Sequence, residues 1–459
     1  MKWPLLLLAA ALPLQAQAQN TPRPVAQPAA AAAPAMTLEA AERLLVERNL
    51  AVLAARRGID ITRAQRIIAS SMPPMQLSVG NTPLEFNETR AGGIRARGLG
   101  PANNIQTTLT MVVETGGKRS LRTRLAEENI GVAEALVLDA MRTQIYALRQ
   151  NFIAALAARA NLDVALANRA SLDRTEALLR RRLRDGAIPE GDLLRFQASR
   201  VQFEADVTSN AQAYAAAVAA VAVTLAADAA DTSARPRLPQ LAALPFEVQG
   251  RFTLVLELGL TRDELADAVQ NRPDVVAALR QASAAGANLA LAEAARWRDV
   301  TVSAGYGRTR MPQNLPDLGG SPAFANNQLT IQFGIPLFTR RIVEGGVGVA
   351  TGQAAAADAQ ARAALLQARA DFATAWSQVE QSRTLLRLYT GGALARAEAA
   401  YRSTEQAYLA GGASLLEVLD ALRTLNQTRL ATNQARGAYL TALANLEQAT
   451  GVSGLAPRL

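Results

Sequence analysis

The chain of 459 residues contains no cysteine and no histidine. Disulfides, thiolate metal sites and an acylated N-terminal cysteine all need cysteine, so we expect neither a disulfide framework nor a lipid anchor. Ser-His-Asp and Cys-His catalysis and imidazole metal sites need histidine. We therefore expect no catalytic residue, no resident metal and no cofactor, and we predict that the protein is not an enzyme.

Aromatic residues are also scarce, and the net charge is carried almost wholly by arginine. Lysine and arginine together number 48 against 39 aspartates and glutamates, which gives a formal charge of +9, while aromatic residues make up 4% of the chain. The arginines are spread along helical patterns, so we predict a solvated surface of mixed charge and no nucleic-acid partner. The alanine-rich stretch 211–227 falls short of the roughly 20 strongly apolar residues that a spanning helix needs.

The N-terminus has the features of an export signal. An apolar run follows the first lysine, and the sequence Ala-Gln-Ala at 16–18 fits a small-x-small cleavage site. We predict a signal peptide over residues 1–18, followed by a disordered N-terminal segment over 19–36. An exported protein without a spanning helix is periplasmic, secreted, or built into an outer membrane by strands.

The sequence contains two similar halves, offset by about 220 residues. Three landmarks recur in the same order at nearly one spacing: Thr37 with Thr261, Asn103-Asn104 with Asn326-Asn327, and Gly186 with Gly411. We place the first structural repeat at 37–227 and the second at 261–451. An equatorial linker at 228–260 separates them, and a C-terminal tail follows at 452–459.

Each half predicts two strands, at 75–86 and 104–115 in the first and at 299–308 and 328–338 in the second. In the last of them, apolar side chains occupy every second position from Leu329 to Leu337. This length and alternation suit membrane-crossing strands, apolar toward lipid and polar toward a lumen. A soluble antiparallel sheet with one buried face is the alternative.

Very long helical patterns favour the membrane interpretation. Helices are predicted at 118–184, 192–227, 344–410 and 414–450, and the first would be roughly 100 Å long. Helices of this length have to pack laterally as coiled coils. Four strands cannot close a membrane barrel, whose smallest examples have about eight. The predicted fold class is therefore mainly α with a membrane β-barrel, to which three chains would contribute twelve strands beside long coiled-coil helices.

The two turns between the long helices carry the most specific motifs. They are "GAIPEGDLL", from Gly186 to Leu194, and "YLAGGASLLEVLD", from Tyr408 to Asp420. The second is similar to the Y-x-x-G-x-x-[ST]-x-x-[DE]-V-L-D turn of the TolC family of trimeric outer-membrane efflux and secretion channels. The resemblance implies a homotrimer in the outer membrane of a Gram-negative bacterium. It also implies a periplasmic tunnel that docks to a periplasmic adaptor, or membrane fusion protein, and an inner-membrane pump.

Two shorter motifs narrow the resemblance. "NTPLE" from Asn81 and "ETGGKRSLR" from Glu114 are similar to the branch of the family that works with heavy-metal cation pumps of the RND type. This similarity implies a passive exit duct for heavy-metal cations, set among outer-membrane lipids. Drug efflux and type I protein secretion stay open as alternatives within the family. A periplasmic coiled-coil scaffold without a pore stays open outside it.

The resemblance also assigns roles to residues of the two turns. Tyr408 corresponds to the tyrosine of a tip latch, but Ala413 stands where the family has the latch arginine. We therefore expect closure of the tip to depend on packing or on another arginine. The expected adaptor-docking surface comprises Gly186, Ile188, Gly411, Gly412, Ser414 and Leu415.

Acidic residues accompany the same turns. Glu417 and Asp420 are three positions apart and share a helix face, and Asp192 is expected beside them from the first repeat. In a trimer these carboxylates would ring the pore entrance and favour cations over anions. Ser414 and Glu417 also fit a capping box, so we assign Glu417 mainly to capping and Asp420 to the pore.

Gly116-Gly117 precede a basic cluster at the end of a predicted strand. A phosphate-binding loop would need a glycine where Val112 stands and a hydroxyl where Arg119 stands, so a nucleotide site is not expected. We predict instead a sharp turn from strand into helix, followed by anchors at the membrane interface. The predicted anchors are Lys118, Arg119, Arg340 and Arg341. Solvated cations of a first helical turn are the alternative.

Overall fold

The computed structural model describes residues 34–83, 103–226, 246–252, 259, 261–312 and 323–457. The predicted signal peptide lies outside these residues, as do most of the predicted N-terminal segment and most of the linker. The last residues of the C-terminal tail lie outside them too. Within the described part, each half supplies helices, two strands of one sheet, and a long helical hairpin.

Helices make up most of the described structure. They are α1 (Leu38–Arg48), α2 (Leu50–Ser70), α3 (Lys118–Arg184), α4 (Glu190–Thr224), α5 (Arg262–Ala268), α6 (Pro273–Ala294), α7 (Arg340–Leu388), α8 (Leu394–Leu409) and α9 (Leu415–Thr450). A 3-10 turn links α5 to α6, and a π-helical segment, Tyr389–Ala393, links α7 to α8. None of the helices in the described ranges combines the length and the apolar character needed to cross a membrane.

Four strands form one antiparallel sheet that joins the two halves. The described strands are β1 (Ala35–Met36), β2 (Gln76–Pro83), β3 (Asn103–Val113), β4 (Glu247–Val248), β5 (Val300–Pro312) and β6 (Ala323–Gly334). The sheet has the order β2-β3-β5-β6, and its halves meet where β3 pairs with β5, with Val113 opposite Val300. No described strand covers the outer edge of β2 or of β6.

The two faces of this sheet differ in polarity. On one face Leu329, Ile331 and Phe333 of β6 are 75%, 64% and 67% exposed. The strand register places Tyr306, Ala304 and Val302 of β5 beside them. The other face carries Gln106, Thr108, Thr110, Ser303, Thr330 and Gln332. The sheet therefore has one apolar face open to its surroundings and one face of hydroxyls and amides.

The long helices follow the order of the strands to which they connect. α3 packs against α2 on one side and against α6 on the other, and α6 packs against α7. Because α2 leads into β2 and β6 leads into α7, the outermost helices of this layer lie at the same two sides as the edge strands. In the described part of the chain, the helix layer and the sheet thus end at the same two sides.

Corresponding threonines begin the two repeats. The Thr37 hydroxyl accepts a hydrogen bond from the Ala40 N–H at 3.3 Å and caps α1. Thr261 caps α5 in a full capping box with Glu264. Both residues satisfy backbone donors that a helix start leaves unpaired. The local signal that indicated the duplication is therefore also the signal that starts each helix.

A buried ion cluster ties the halves together. Arg149 of α3, with a side chain 9% exposed, pairs with Glu42 of α1 and with Glu447 of α9, each at 2.5 Å. Such a cation is stable in the interior because two carboxylates share it, and loss of either partner would leave a poorly compensated charge. Phe152 and Tyr439, both almost fully buried, belong to the hydrophobic clusters that surround it.

The continuous helix predicted at 344–410 is wrong in its middle. The π-helical segment interrupts it, and Gly392 has a φ of 125°, which no helical residue adopts. The Leu394 N–H donates to Tyr389 O, one residue further back than in an α-helix. Gly391 and Gly392 lack the Cβ that restricts other residues to helical geometry, so the helix breaks at this pair.

The predicted disorder of 19–36 is wrong for its last residues. Ala35–Met36 pairs in parallel with Glu247–Val248, and the Glu247 N–H donates to Pro34 O at 3.0 Å. Met36 also packs against the hydrophobic cluster formed by α1, α3 and α4. The start of the first repeat is therefore held against the described end of the linker.

Candidate functional site

The two turns predicted to form the tip share one hydrophobic core. The first turn connects α3 to α4 at 185–189, and the second connects α8 to α9 at 410–414. The buried side chains behind them are Leu172, Leu179, Phe196, Phe203, Leu415, Leu419 and Leu422. Because this cluster draws on both hairpins, the structure brings the motifs of the two halves together at one end of the chain.

Both turns use the same left-handed glycine geometry. Gly186 has a φ of 69° and Gly411 a φ of 81°. The matching backbone bonds are Ala187 N–H to Arg182 O and Gly412 N–H to Ala407 O, both 2.8 Å. This is the pattern with which a glycine ends a helix, since a side chain would be strained there. A Cβ added at either glycine would meet nothing within 4 Å, so both turn surfaces are open.

The predicted docking residues divide into exposed and buried sets. Gly186, Gly411, Gly412 and Ser414 are exposed. Leu415 is only 8% exposed, and Ile188 packs against the shared core. Both face inward because they close the hydrophobic cluster behind the turns. Leu416, which the sequence argument passed over, is 65% exposed instead.

The acidic residues at the turns have different partners. The Glu417 carboxylate accepts the Ser414 N–H at 2.9 Å, and the Glu417 N–H donates to Ser414 Oγ at 3.3 Å, which completes the predicted capping box. Asp420, with a side chain 61% exposed, lies 3.4 Å from Arg423. Asp192 lies in the first turn of α4. In the described part of the chain, no three acidic side chains come close enough to hold a metal ion.

Tyr408 contacts an arginine from the other hairpin. The Arg182 guanidinium lies 5.3 Å from the centroid of the Tyr408 ring. It also donates through Nη2 to Leu409 O at 2.9 Å. A cation over an aromatic face and a hydrogen bond to the last turn of α8 together fasten the first hairpin to the second. Arg182 is therefore an arginine partner for Tyr408, at a turn where Ala413 has no charged side chain to offer.

The strand-to-helix turn at the other end depends on two glycines. Gly116 and Gly117 have φ values of 68° and 69°. A Cβ on Gly116 would lie 2.6 to 2.8 Å from three side-chain atoms of Trp297, closer than real contacts. Glycine is thus required twice over, by the backbone conformation and by the ring that lies against it.

Two of the predicted interface anchors have protein partners. Lys118 Nζ donates to Asp299 at 2.8 Å and to Trp297 O at 2.6 Å, and its side chain is 14% exposed. Arg119 Nε donates to Ser70 O at 2.6 Å. These contacts fasten α3 to the ends of α6 and α2. Lys118 is therefore a cross-link between the halves, which differs from the predicted extension toward lipid headgroups.

The second-repeat anchors are more exposed. The Arg340 side chain is 88% exposed and lies 2.8 Å from Glu344, four residues along α7. Arg341 is also exposed at the start of the same helix. These two cations lie at the junction of sheet and helix, and their role at the membrane interface stays a prediction.

Known proteins share both the sequence pattern and the fold. Residues 265–452 match the family model described as outer membrane efflux protein. The match lies within the second repeat. Together with the relatives below, it indicates an outer-membrane efflux channel with a periplasmic helical tunnel, a class of protein that serves transport and not catalysis.

Individual relatives cover most of the length of the chain. The cobalt-zinc-cadmium resistance protein CzcC of Cupriavidus metallidurans is 25% identical over 408 residues, which are 88% of this chain and 87% of CzcC. The Campylobacter jejuni CmeC outer membrane channel has a TM-score of 0.71 at 16% identity and covers 90% of this chain and 85% of its own. The CusC structure has a TM-score of 0.68 at 17% identity, and the alignment covers 90% of this chain and 92% of the CusC chain.

The sequence did not single out a buried carboxylate that lies behind the two turns. Glu176 of α3 accepts hydrogen bonds from Gln197 at 3.0 Å and from Arg180 at 2.7 Å, and it pairs with Arg200 of α4. The bond from Gln197 lowers the pKa of Glu176, and Arg200 and Arg180 add to the effect against the opposing cost of burial. Glu176 therefore stays charged and joins the two helices of the first hairpin. The only available signal was an acid among arginines.

We expect Arg182→Ala to loosen the second turn of the tip. It removes the ring contact and the hydrogen bond to Leu409, which together are worth about 1 to 2 kcal/mol. Amide hydrogen exchange at residues 407–412 should become about 5- to 30-fold faster. Arg181→Ala is the matched control, because Arg181 is 77% exposed and its ion pair among the described residues is with Asp185 at 4.0 Å. Equal exchange in both variants would contradict the role given to Arg182.

Proposed function

We propose that three copies of this efflux protein form the exit duct of a tripartite system for divalent metal cations. In this assembly, the duct docks through its tip to a periplasmic adaptor and an RND-type inner-membrane pump. The observation that carries the proposal is the four-stranded sheet with an apolar face and two open edges. Backbone groups left unpaired in lipid cost several kcal/mol each, so the edges need partners.

The helix layer supports closure by identical copies. α2 and α7 lie at opposite sides of the chain, so α7 of one copy would lie against α2 of the next. α2 exposes Ile61 and Ile68, which are 59% and 74% exposed, and α7 exposes Ile342 and Val349, which are 76% and 62% exposed. The members of each pair are seven residues apart, or about two helical turns. Since the helices would run antiparallel, Ile68 would meet Ile342 and Ile61 would meet Val349.

Glycines of α7 fit the same arrangement. Gly345, Gly346, Gly348 and Gly352 have open space where a Cβ would stand. Glycine inside a helix costs about 0.5 to 1 kcal/mol relative to alanine. A neighbouring helix that approaches closely along this stretch would explain why glycine occupies these positions despite its cost. They lie on the segment where α2 of the next copy is expected.

We expect the double variant Ile68→Cys, Ile342→Cys to form disulfide-linked dimers and trimers on oxidation. The chain has no cysteine of its own, so every covalent link must come from the introduced pair. A denaturing gel under non-reducing conditions measures the result. The control pair Ile68→Cys, Leu388→Cys places the second thiol at the far end of α7, where Leu388 is 66% exposed, and should stay monomeric. If the test pair gives only monomers, the proposed contact between α2 of one copy and α7 of the next is wrong.

The pore entrance is proposed at the two turns. Three copies would place three Asp420 carboxylates around the axis, with Asp192 beside them. Glu417 contributes less, because its carboxylate is already engaged by the Ser414 N–H. Carboxylates around a narrow opening favour cations. An adaptor would approach through the exposed glycines of both turns, with Leu416 as an apolar contact.

We expect Asp420→Ala to lower the cation-to-anion permeability ratio of single channels in a planar bilayer. One carboxylate about 6 Å from a passing cation in water stabilises it by about 0.7 kcal/mol, and the trimer loses three such carboxylates, so the ratio should fall about threefold or more. Asp358→Ala is a matched control, because Asp358 is 57% exposed and pairs with Arg362 on α7, away from the turns. If both variants keep the wild-type ratio, Asp420 has no place at the entrance.

The cargo is proposed from the likeness to CzcC, a cobalt-zinc-cadmium resistance protein. A duct that passes ions need not ligate them. Deletion of the gene from its own host should lower tolerance to cobalt, zinc and cadmium salts and raise the metal content of the cells. Re-expression should restore both. Unchanged metal tolerance with increased sensitivity to organic drugs would instead favour drug efflux.

A further inference from the structure

The apolar face of the sheet ends in two arginines. Along β5, the side chains on this face run from Val300 to Tyr306, about 20 Å along the strand, and continue with Arg308 and Arg310. The paired position on β6 changes in the same way, from Leu329 opposite Tyr306 to Asn327 opposite Arg308. On β5 and β6 the change from apolar to polar side chains therefore occurs at one level, while β3 keeps Ile105 opposite Arg308.

This level is the end of the sheet away from the helices. β5 begins at Val300, just after α6, and Arg308 and Arg310 lie near its other end. In an outer-membrane protein with a periplasmic helical tunnel, that end faces the outside of the cell. The arginines thus lie where the outer leaflet changes from acyl chains to headgroups, next to the aromatic ring of Tyr306.

Neither arginine has an ion-pair partner among the described residues. At the opposite end of the sheet, Lys118 pairs with Asp299, and Arg122 pairs with Glu114. The described part of the chain holds no acid paired with Arg308 or Arg310, although both arginines are exposed. A pair of like charges at an apolar boundary is unfavourable unless an anion from the surroundings lies beside it.

We propose that Arg308 and Arg310, with Tyr306 and Asn327, bind the phosphate of a phosphorylated glycolipid of the outer leaflet. A guanidinium donates two parallel hydrogen bonds to phosphate oxygens. The Tyr306 hydroxyl donates to Asn327 Oδ1 at 3.0 Å, which leaves the Asn327 amide protons for a further acceptor. Two residues of separation on one strand face place the cations about 7 Å apart, which suits a headgroup with more than one anionic oxygen centre.

The apolar part of the same face selects a lipid over a free anion. Leu329, Ile331 and Phe333 continue from Asn327 toward the helices and are largely exposed. Acyl chains attached to the bound headgroup would lie along them. The inference rests on the proposed trimer, because the face meets lipid as a continuous wall only when neighbouring copies close the barrel.

The test measures lipid binding to purified trimers by native mass spectrometry. Trimer mass is established first for every variant, so failure of assembly is seen separately from failure of lipid binding. Bisphosphorylated lipid A is the probe. Arg308→Gln with Arg310→Gln should weaken its binding about tenfold or more, since charge-assisted bonds to phosphate are lost. Arg362→Gln with Arg402→Gln, two arginines of the long helices that are 78% and 71% exposed, should bind as the wild type does.

Further arms identify the source of the phosphate. Dephosphorylated lipid A should bind weakly to the wild type, and millimolar inorganic phosphate should not displace the bisphosphorylated form. If the glutamine variant does not assemble, Arg308→Lys with Arg310→Lys keeps both charges but not the paired geometry and should bind with intermediate affinity. Unchanged binding in the variants overturns the proposal. Equal binding of phosphatidylglycerol, or full displacement by free phosphate, overturns the assignment to a glycolipid.

Discussion

The backbone hydrogen bonds that β2 and β6 cannot make within one chain govern the rest of the structure. Every residue of a strand in lipid carries an amide and a carbonyl that water cannot satisfy. β3 and β5 have hydrogen-bonded neighbours on both sides. Each edge strand, β2 or β6, has a neighbour on one side only within the described chain. Because the helices α2, α3, α6 and α7 keep the order of their strands, the same incompleteness extends below the membrane and exposes Ile68 on one side and Ile342 on the other.

The similarity of the two halves makes this incomplete wall regular. Two copies of one hairpin plan place Gly186 and Gly411 in the same geometry and bring both turns against one hydrophobic cluster. The copies have nonetheless diverged in charge. The first hairpin contributes the cation, Arg182, and the second contributes the ring, Tyr408. A contact between the halves can be asymmetric although the backbones that support it correspond.

Local signals in the sequence predicted most of the fold, because they act over a few residues. The capping pair Ser414 and Glu417 and the alternation through Leu329 are of this kind. Contacts between distant residues were not predictable from spacing. The approach of Trp297 to Gly116 and of Arg182 to Tyr408 depends on how whole helices pack, and periodicity does not report this. The break at Gly391-Gly392 did have a local signal, the two consecutive glycines. The helical spacing of apolar residues on both sides of them still predicted one continuous helix.

That break gives the two hairpins different mechanical properties. α3 runs for 67 residues as one rod, so a force applied at the first turn is transmitted along an unbroken ladder of hydrogen bonds. The second hairpin is interrupted at Gly391-Gly392. There the α-helical hydrogen bonds give way to a π-helical turn, and the two glycines have no side chains that would restrict bending. A load on the tip would therefore be absorbed by the second hairpin at this joint, while the first serves as the stiff strut against which it flexes.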